Sequence, residues 1–257
     1  MDKAVVIIGI GELAGVFARG FLRNGYPVYP VTRQMSISEI AKSSLDPELA
    51  LVAVAEKDLA EVLRTISPHW RERIGLLQNE LLPGDWKKYD IENPTVISVW
   101  FEKKKCQDYQ VLIPSPVYGP NTDLIADSLG CLNIPCRRLA SEDELLVELV
   151  IKNVFVLTIN IAGLATGGTT GLLWSEHNKL ARQVANDVID VQEWLTGATF
   201  ARDRLIEGML EGIHGDPDHT CTGRSAPGRL QRVIEVADRA GLKIPHIREI
   251  YESQINK

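Results

Sequence analysis

Gly9, Gly11 and Ala14 stand in the spacing Gly-x-Gly-x-x-Ala, directly after the apolar run Ala4–Ile8 and at the start of a helical pattern. Glycines so spaced let the backbone turn tightly and approach a pyrophosphate. The helix that follows offers unpaired N–H groups and a partial positive charge. The position between strand and helix gives the motif its weight, because the same letters elsewhere mean little. About twenty residues on, a second short strand ends in Thr32-Arg33. In a βαβ unit this position meets the adenosine ribose. An acidic residue there would bind the 2′-hydroxyl, whereas Thr32 and Arg33 suit a 2′-phosphate. The expected cofactor is NADP(H), held by Gly9, Gly11, Glu12, Leu13, Ala14, Thr32 and Arg33.

A second chemical signal is Lys152, flanked by Ile151 and Val154 in a long apolar segment. Reduction of a carbonyl needs a group that protonates the developing alkoxide, and a partly desolvated lysine can do this. Asn160 lies eight residues on, a little over two helical turns, so it is expected on roughly the same face. The competing reading is that Lys152 extends to solvent while Asn153 or Asn160 satisfies backbone groups.

The elements that would position these residues follow from periodicity. Strands are expected at Ala4–Ile8, Val28–Val31, Leu49–Ala53, Arg73–Leu77, Val96–Phe101 and Gln110–Ile113, with helices at Leu13–Arg23, Lys57–Ile66 and Asn121–Leu129. Such alternation predicts a mostly parallel sheet covered by helices. Past Ala140 the strand pattern ends. Ser141 and Glu144 make a capping box for a helix running to Ala165. Further helices are expected at Ser175–Leu195, Arg202–Glu211, Leu230–Ala240 and Pro245–Gln254, with Gly241 as a C-cap. The fold class is therefore α/β: a Rossmann-like dinucleotide-binding domain over 1–140 and an all-α domain over 141–257, with a cleft expected between them.

Composition narrows the partners. The net charge of −6 gives no basic excess to displace counterions from nucleic acid. Lys103-Lys104-Lys105 reads as a solvated turn. Four cysteines in 257 residues make no disulfide scaffold, so free thiols in a reducing cytoplasm are expected. Met1-Asp2-Lys3 leads straight into a strand without a cleavage site, and no apolar run is expected to reach membrane-spanning length. The irregular segment Gly212–Gly228 holds His214, Asp216, Asp218, His219 and Cys221. Their spacing fits no familiar zinc pattern, so no metal is expected, and a polar rim near the substrate or a solvated turn is preferred.

From the glycine loop to Pro245 the chain resembles the ketopantoate reductases, two-domain relatives of the 6-phosphogluconate dehydrogenase-like enzymes. The resemblance implies reduction of 2-dehydropantoate with NADPH, a step of pantothenate biosynthesis, in a cytoplasmic homodimer. It implies that Lys152 is the general acid and that Asn160 is a substrate contact. Gln78-Asn79-Glu80 falls on the family's His-Asn-Gly segment, so Asn79 resembles a contact to both substrate and cofactor. Thr222-Gly223-Arg224 and Gly241–Pro245 resemble the flanks of the substrate-binding helix. The departures are Val156 for the first helix asparagine, Glu80 for a glycine, and Ser225-Ala226-Pro227 where an acidic residue is expected. Ala55-Glu56-Lys57-Asp58 also lacks the family's usual lysine position after the third strand. The expected function is NADPH-dependent reduction of a small 2-oxo acid. The alternatives are another oxo or imino acid, or a non-catalytic NADP-binding protein.

Overall fold

A computed structural model gives the fold of residues 3–42 and 46–255; the leader reading of Met1 and Asp2 falls outside them. The chain divides into two compact units, Met1–Glu148 and Leu149–Lys257.

The first unit alternates strand and helix. In order it contains β1 (Val5–Ile8), α1 (Glu12–Arg23), β2 (Val28–Val31), α2 (Ile37–Lys42), β3 (Leu49–Val52) and α3 (Glu56–Thr65). A short 3-10 turn at Pro68–Arg73 precedes β4 (Ile74–Leu76), α4 (Pro83–Lys87), β5 (Thr95–Ile97), β6 (Phe101–Lys103), β7 (Tyr109–Val111), β8 (Ser115–Tyr118), α5 (Thr122–Gly130) and β9 (Cys136–Arg138). Seven strands form one sheet in the order β2-β1-β3-β4-β5-β8-β9. All neighbours are parallel except β5 and β8. β6 and β7 form a separate antiparallel hairpin.

The central strands β1 and β3 are buried at every position. A parallel strand covered on both faces has no solvent side, hence its continuous run of Val, Ile, Leu and Ala. Ala14, Phe17 and Phe21 share one face of α1 at helical spacing. They join the core with Ile125 and Leu129 of α5, and Phe17 also meets Phe101 at 5.9 Å between ring centres. The chain steps from β1 to β2 and back past β1 to β3, so the strand order reverses between β1 and β3. Ligands of such sheets bind where the order reverses, at the carboxyl ends of the strands.

Three expectations in this unit change. Val96–Phe101 is not one strand. After Ile97 the chain leaves the sheet, and it re-forms as the hairpin at Phe101, with Ser115 Oγ accepting from Trp100 N at 2.9 Å. β8 and β9 lacked a strand signature because Pro116 and the pair Arg137-Arg138 interrupt the apolar pattern. Lys103 is not part of a solvated turn, since its ammonium pairs with Glu12.

The helix α6 (Glu142–Thr166) runs through the boundary into the second unit. Ser141 Oγ accepts from Glu144 N at 3.2 Å, and Glu144 Oε2 accepts from Ala140 N at 2.9 Å. Then follow α7 (Thr170–Glu176), α8 (Asn178–Thr196), α9 (Arg202–Gly215), α10 (Ala226–Ala240) and α11 (Pro245–Ile255). The expected helix Ser175–Leu195 is two helices broken at His177, where Asn178 Nδ2 takes the Trp174 carbonyl and competes with the helical ladder. α10 starts four residues before the expected Leu230, because Pro227 suits a first turn rather than breaking it. Gly241 ends it in the left-handed conformation.

The expectation that no apolar run reaches membrane-spanning length is corrected by α6. Its 25 residues include an 18-residue window of mean hydropathy 1.9, long and apolar enough to cross a bilayer by length and composition. Burial within the protein covers 83% of that window, and a helix apolar on all sides is what a buried core helix requires.

Asp187 of α8 holds the start of α11. Its Oδ2 accepts from His246 N at 2.8 Å and Ile247 N at 3.0 Å, and its Oδ1 lies 3.2 Å from His246 Nδ1. The carboxylate is 4% exposed and satisfies amides that a helix start leaves open. Asp187→Ala is expected to lower stability by about 3 kcal/mol, read as a lower urea midpoint at unchanged m-value.

Candidate functional site

The turn after β1 is built by a close approach. Gly9 has φ +95°, and a Cβ there would lie 2.9 Å from the Ala53 carbonyl oxygen and from Val54 Cγ1. Only glycine lets the chain pass the end of β3 at this point. Gly9 N donates to the Val31 carbonyl at 2.9 Å, which ties the turn to β2. Gly11 then caps α1 with its backbone alone, with no side-chain bond. The turn opens on a cavity of about 380 Å³ lined by Ile10, Gly11, Glu12, Gly15, Arg19 and Lys103 among others.

Glu12 places a carboxylate at the positive end of α1, where a phosphate would otherwise be favoured. Lys103 of the hairpin offsets it, with Nζ 3.2 Å from Glu12 Oε2. Leu13 packs on the core and Ala14 is buried within it, so these two support the turn from behind. Ile10, 60% exposed at the cavity, was missed; an isoleucine continuing an apolar strand gives no local signal of exposure.

Thr32 and Arg33 begin the turn that follows β2. Thr32 Oγ1 accepts from Gln34 N at 3.4 Å. Arg33 is 88% exposed and its NH2 lies 3.3 Å from Asp58 Oδ2. Asn79, just past β4, donates from Nδ2 to Glu56 Oε1 at 3.2 Å. The first turn of α3 thus holds both residues, through Asp58 and Glu56, at the end of the sheet where Gly9 turns. Gln78 is buried and donates to the Val52 carbonyl at 2.7 Å and the Val54 carbonyl at 3.2 Å, binding the end of β4 to the end of β3. Glu80 takes a glycine-like backbone, with φ +60°. That conformation costs a side-chain-bearing residue roughly 1–2 kcal/mol.

In the second unit, Lys152 is half-buried on α6 with Nζ 5.4 Å from the centre of the Phe155 ring. The ring face stabilises an ammonium, the form from which a proton donor starts. Val156 is buried beside it. Eight residues place Asn160 about 80° around the helix axis from Lys152 and about 12 Å along it. Its amide is engaged at both ends. Nδ2 donates to the Cys221 carbonyl at 2.9 Å, and Oδ1 accepts from Arg229 NH1 at 2.6 Å. Arg229 is a cation that sequence reasoning passed over, because its link to α6 spans 69 residues.

The segment His214–Cys221 is fastened to the α6–α7 turn. Thr170 Oγ1 donates to the Asp216 carbonyl, Gly171 N to the Pro217 carbonyl, and Thr170 N to the His219 carbonyl. Cys221 N closes the set on the Gly168 carbonyl. Its thiol is buried, and burial pushes it up to about 11. His214 belongs to α9 rather than to a loop. All four cysteines are free thiols.

No protein-family model matches this chain, and no curated protein matches it in sequence. Solved structures do match. A 2-dehydropantoate 2-reductase from Methylococcus capsulatus superposes with a TM-score of 0.72 at 13% identity, over 98% of this chain and 95% of that one. A dimeric ketopantoate reductase from Staphylococcus aureus gives 0.64 at 17% identity, over 97% and 96%. A D-mandelate dehydrogenase in a ternary structure with NADH and anilino(oxo)acetate gives 0.67 at 11% identity, over 97% and 96%. The chain therefore has the fold of the 2-dehydropantoate 2-reductases, a Rossmann-like α/β unit followed by a helical one.

Proposed function

We propose that this chain is a nicotinamide-dinucleotide-dependent reductase of a small 2-oxo acid, with 2-dehydropantoate as the first substrate to test. The observation that carries the reading is the Gly9–Gly11 turn. It lies where the strand order reverses, takes a conformation only glycine allows, and leads into a helix capped by backbone alone. Those properties fit a dinucleotide pyrophosphate.

The dinucleotide supplies the hydride when bound. The chain's own part is to hold the phosphates at Gly9–Gly11, orient the adenosine end through Thr32 and Arg33, and contact substrate and cofactor through Asn79. Lys152 gives its proton to the carbonyl oxygen as charge develops there. The first unit serves as the dinucleotide domain and the second as the substrate and dimerisation domain. A homodimer in the cytoplasm accompanies this reading, suggested by the dimeric neighbour and testable by sedimentation.

Arg33 favours NADPH, while Asp58 beside it favours the alternative, NADH. A 2′-phosphate would have to draw Arg33 from Asp58, whereas ribose hydroxyls could donate to that carboxylate. Fluorescence titration with NADPH and NADH separates the two. Arg33→Ala is expected to weaken NADPH by about 10- to 100-fold and leave NADH nearly unchanged. Wild-type preference for NADH, or NADPH affinity unaffected by the substitution, would transfer the ribose role to Asp58. A screen of 2-oxo acids for NADPH consumption then tests turnover. Tight dinucleotide binding with no acid reduced would support the non-catalytic alternative, which the changes at Glu80, Val156 and Ser225 favour.

A further inference from the structure

We infer that Lys103, on the β6–β7 hairpin, binds the pyrophosphate of the dinucleotide, so that the hairpin forms a second wall of the phosphate site at the Gly9–Gly11 turn. The inference rests on the dinucleotide reading and adds to it a cation from a separate element.

The fold brings this lysine to the turn. Phe101 and Lys103 alternate with Glu102 along β6 and so share one face of the strand. Their cross-strand partners are Val111 and Tyr109. Phe101 lies in the core with Tyr109 and Val111 packed against it, and its ring meets Phe17, so this face looks onto α1. Lys103, one strand repeat beyond Phe101, meets Glu12, which precedes Phe17 in the helix. The step from Phe101 to Lys103 and the step from Phe17 to Glu12 each cover about 7 Å, so the two contacts are in step. Tyr109 fixes the hairpin further: the Arg19 guanidinium stands 5.3 Å from its ring centre, and its hydroxyl donates to the Leu132 carbonyl.

The ammonium is therefore held rather than loose on the surface. The Lys103 side chain is 20% exposed, and Nζ donates to Glu12 Oε2 at 3.2 Å and to the Lys104 carbonyl at 2.8 Å. An ammonium has three donors, so among the described residues one is left for a ligand. Lys103 lines the cavity together with Gly11, Glu12 and Gly15. A Cβ at Gly11 or Gly15 would meet nothing within 4 Å, so open space borders the backbone on the helix side of the ammonium. Glu12 places a negative charge at a helix start that otherwise attracts phosphate. Carboxylate and pyrophosphate repel each other unless a cation stands between them, and an ammonium can donate to both at once. Arg19 is engaged on Tyr109 two turns along α1, so Lys103 is the cation that the hairpin supplies to the first turn.

Lys103→Met keeps most of the stem and removes the charge. In fluorescence titration it should weaken NADPH and NADH by the same factor, about tenfold, because both carry the pyrophosphate. Arg33→Ala, by contrast, is expected to act on NADPH alone. ADP-ribose, which keeps the pyrophosphate and lacks the nicotinamide, should show the same loss by calorimetry. Lys103→Arg should retain most of the affinity, and the urea midpoint of Lys103→Met should stay near wild type. The same substitution is then made in a Glu12→Gln background. If Lys103 only neutralised Glu12, Lys103→Met would have no effect once that carboxylate is gone. Contact with the pyrophosphate requires a loss of at least about fivefold to persist there. No loss in that background, or a loss confined to NADPH, overturns this inference and leaves the dinucleotide reading intact. Wild-type protein that binds neither NADPH nor NADH overturns both.

Discussion

Lys152→Ala is expected to lower kcat for 2-oxo acid reduction by about two to four orders of magnitude, the usual contribution of a positioned general acid. Hydride arrival at a carbonyl carbon leaves negative charge on the oxygen. Without a donor, water must supply the proton or the alkoxide must persist. Lys152 is half-buried, and its Nζ stands 5.4 Å from the centre of the Phe155 ring, a contact that favours an ammonium. Removing its side chain takes away a group needed in the transition state, so kcat and kcat/KM should fall together. Dinucleotide affinity, set by the Gly9–Gly11 turn, should not change. Stopped-flow NADPH oxidation checks both halves. Full turnover in the variant would remove Lys152 from the mechanism.

The second large effect separates two glycines that look equivalent in the motif. Gly9→Ala forces a Cβ to within 2.9 Å of a backbone oxygen at φ +95°. It is expected to lower stability by about 2–4 kcal/mol and to abolish dinucleotide binding. Gly11 has φ −99°, and a Cβ there meets nothing within 4 Å. Gly11→Ala should therefore fold with stability within about 0.5 kcal/mol of wild type. It should still lose at least about tenfold in NADPH affinity, because the methyl group occupies the path by which a pyrophosphate approaches the backbone. Urea unfolding and fluorescence titration on the two variants give the contrast. A Gly11→Ala protein that binds NADPH normally would mean that the pyrophosphate lies elsewhere.

Features set within a few residues were legible in the sequence. The strand-turn-helix at Gly9–Ala14, the capping box at Ser141 and Glu144, and the C-cap at Gly241 depend on local backbone chemistry, and each stands in the structure. Strand limits failed where a local pattern misleads. Pro116 concealed β8, and nothing between Val96 and Phe101 signals that the chain leaves the sheet. Contacts set by packing left no signal. Arg33 was read alone, since Asp58 reaches it only through the packing of α3. Asn160 was read as a ligand contact, since its partners, Arg229 and the Cys221 carbonyl, come from 69 and 61 residues away. Residue type and helical spacing pointed to Lys152 and Asn160. They could not show that the Asn160 amide is bonded at both ends within the fold.

The opening turn of α3 has a consequence for altering cofactor preference. Arg33 and Asn79 arise after different strands, yet Asp58 and Glu56 of this one turn hold both. A substitution confined to the end of β2 leaves the two carboxylates in place to resist a new phosphate contact. Redesign toward either dinucleotide is therefore a problem of two segments at once. A successful library would vary Thr32-Arg33 together with Glu56–Asp58 rather than the strand end alone.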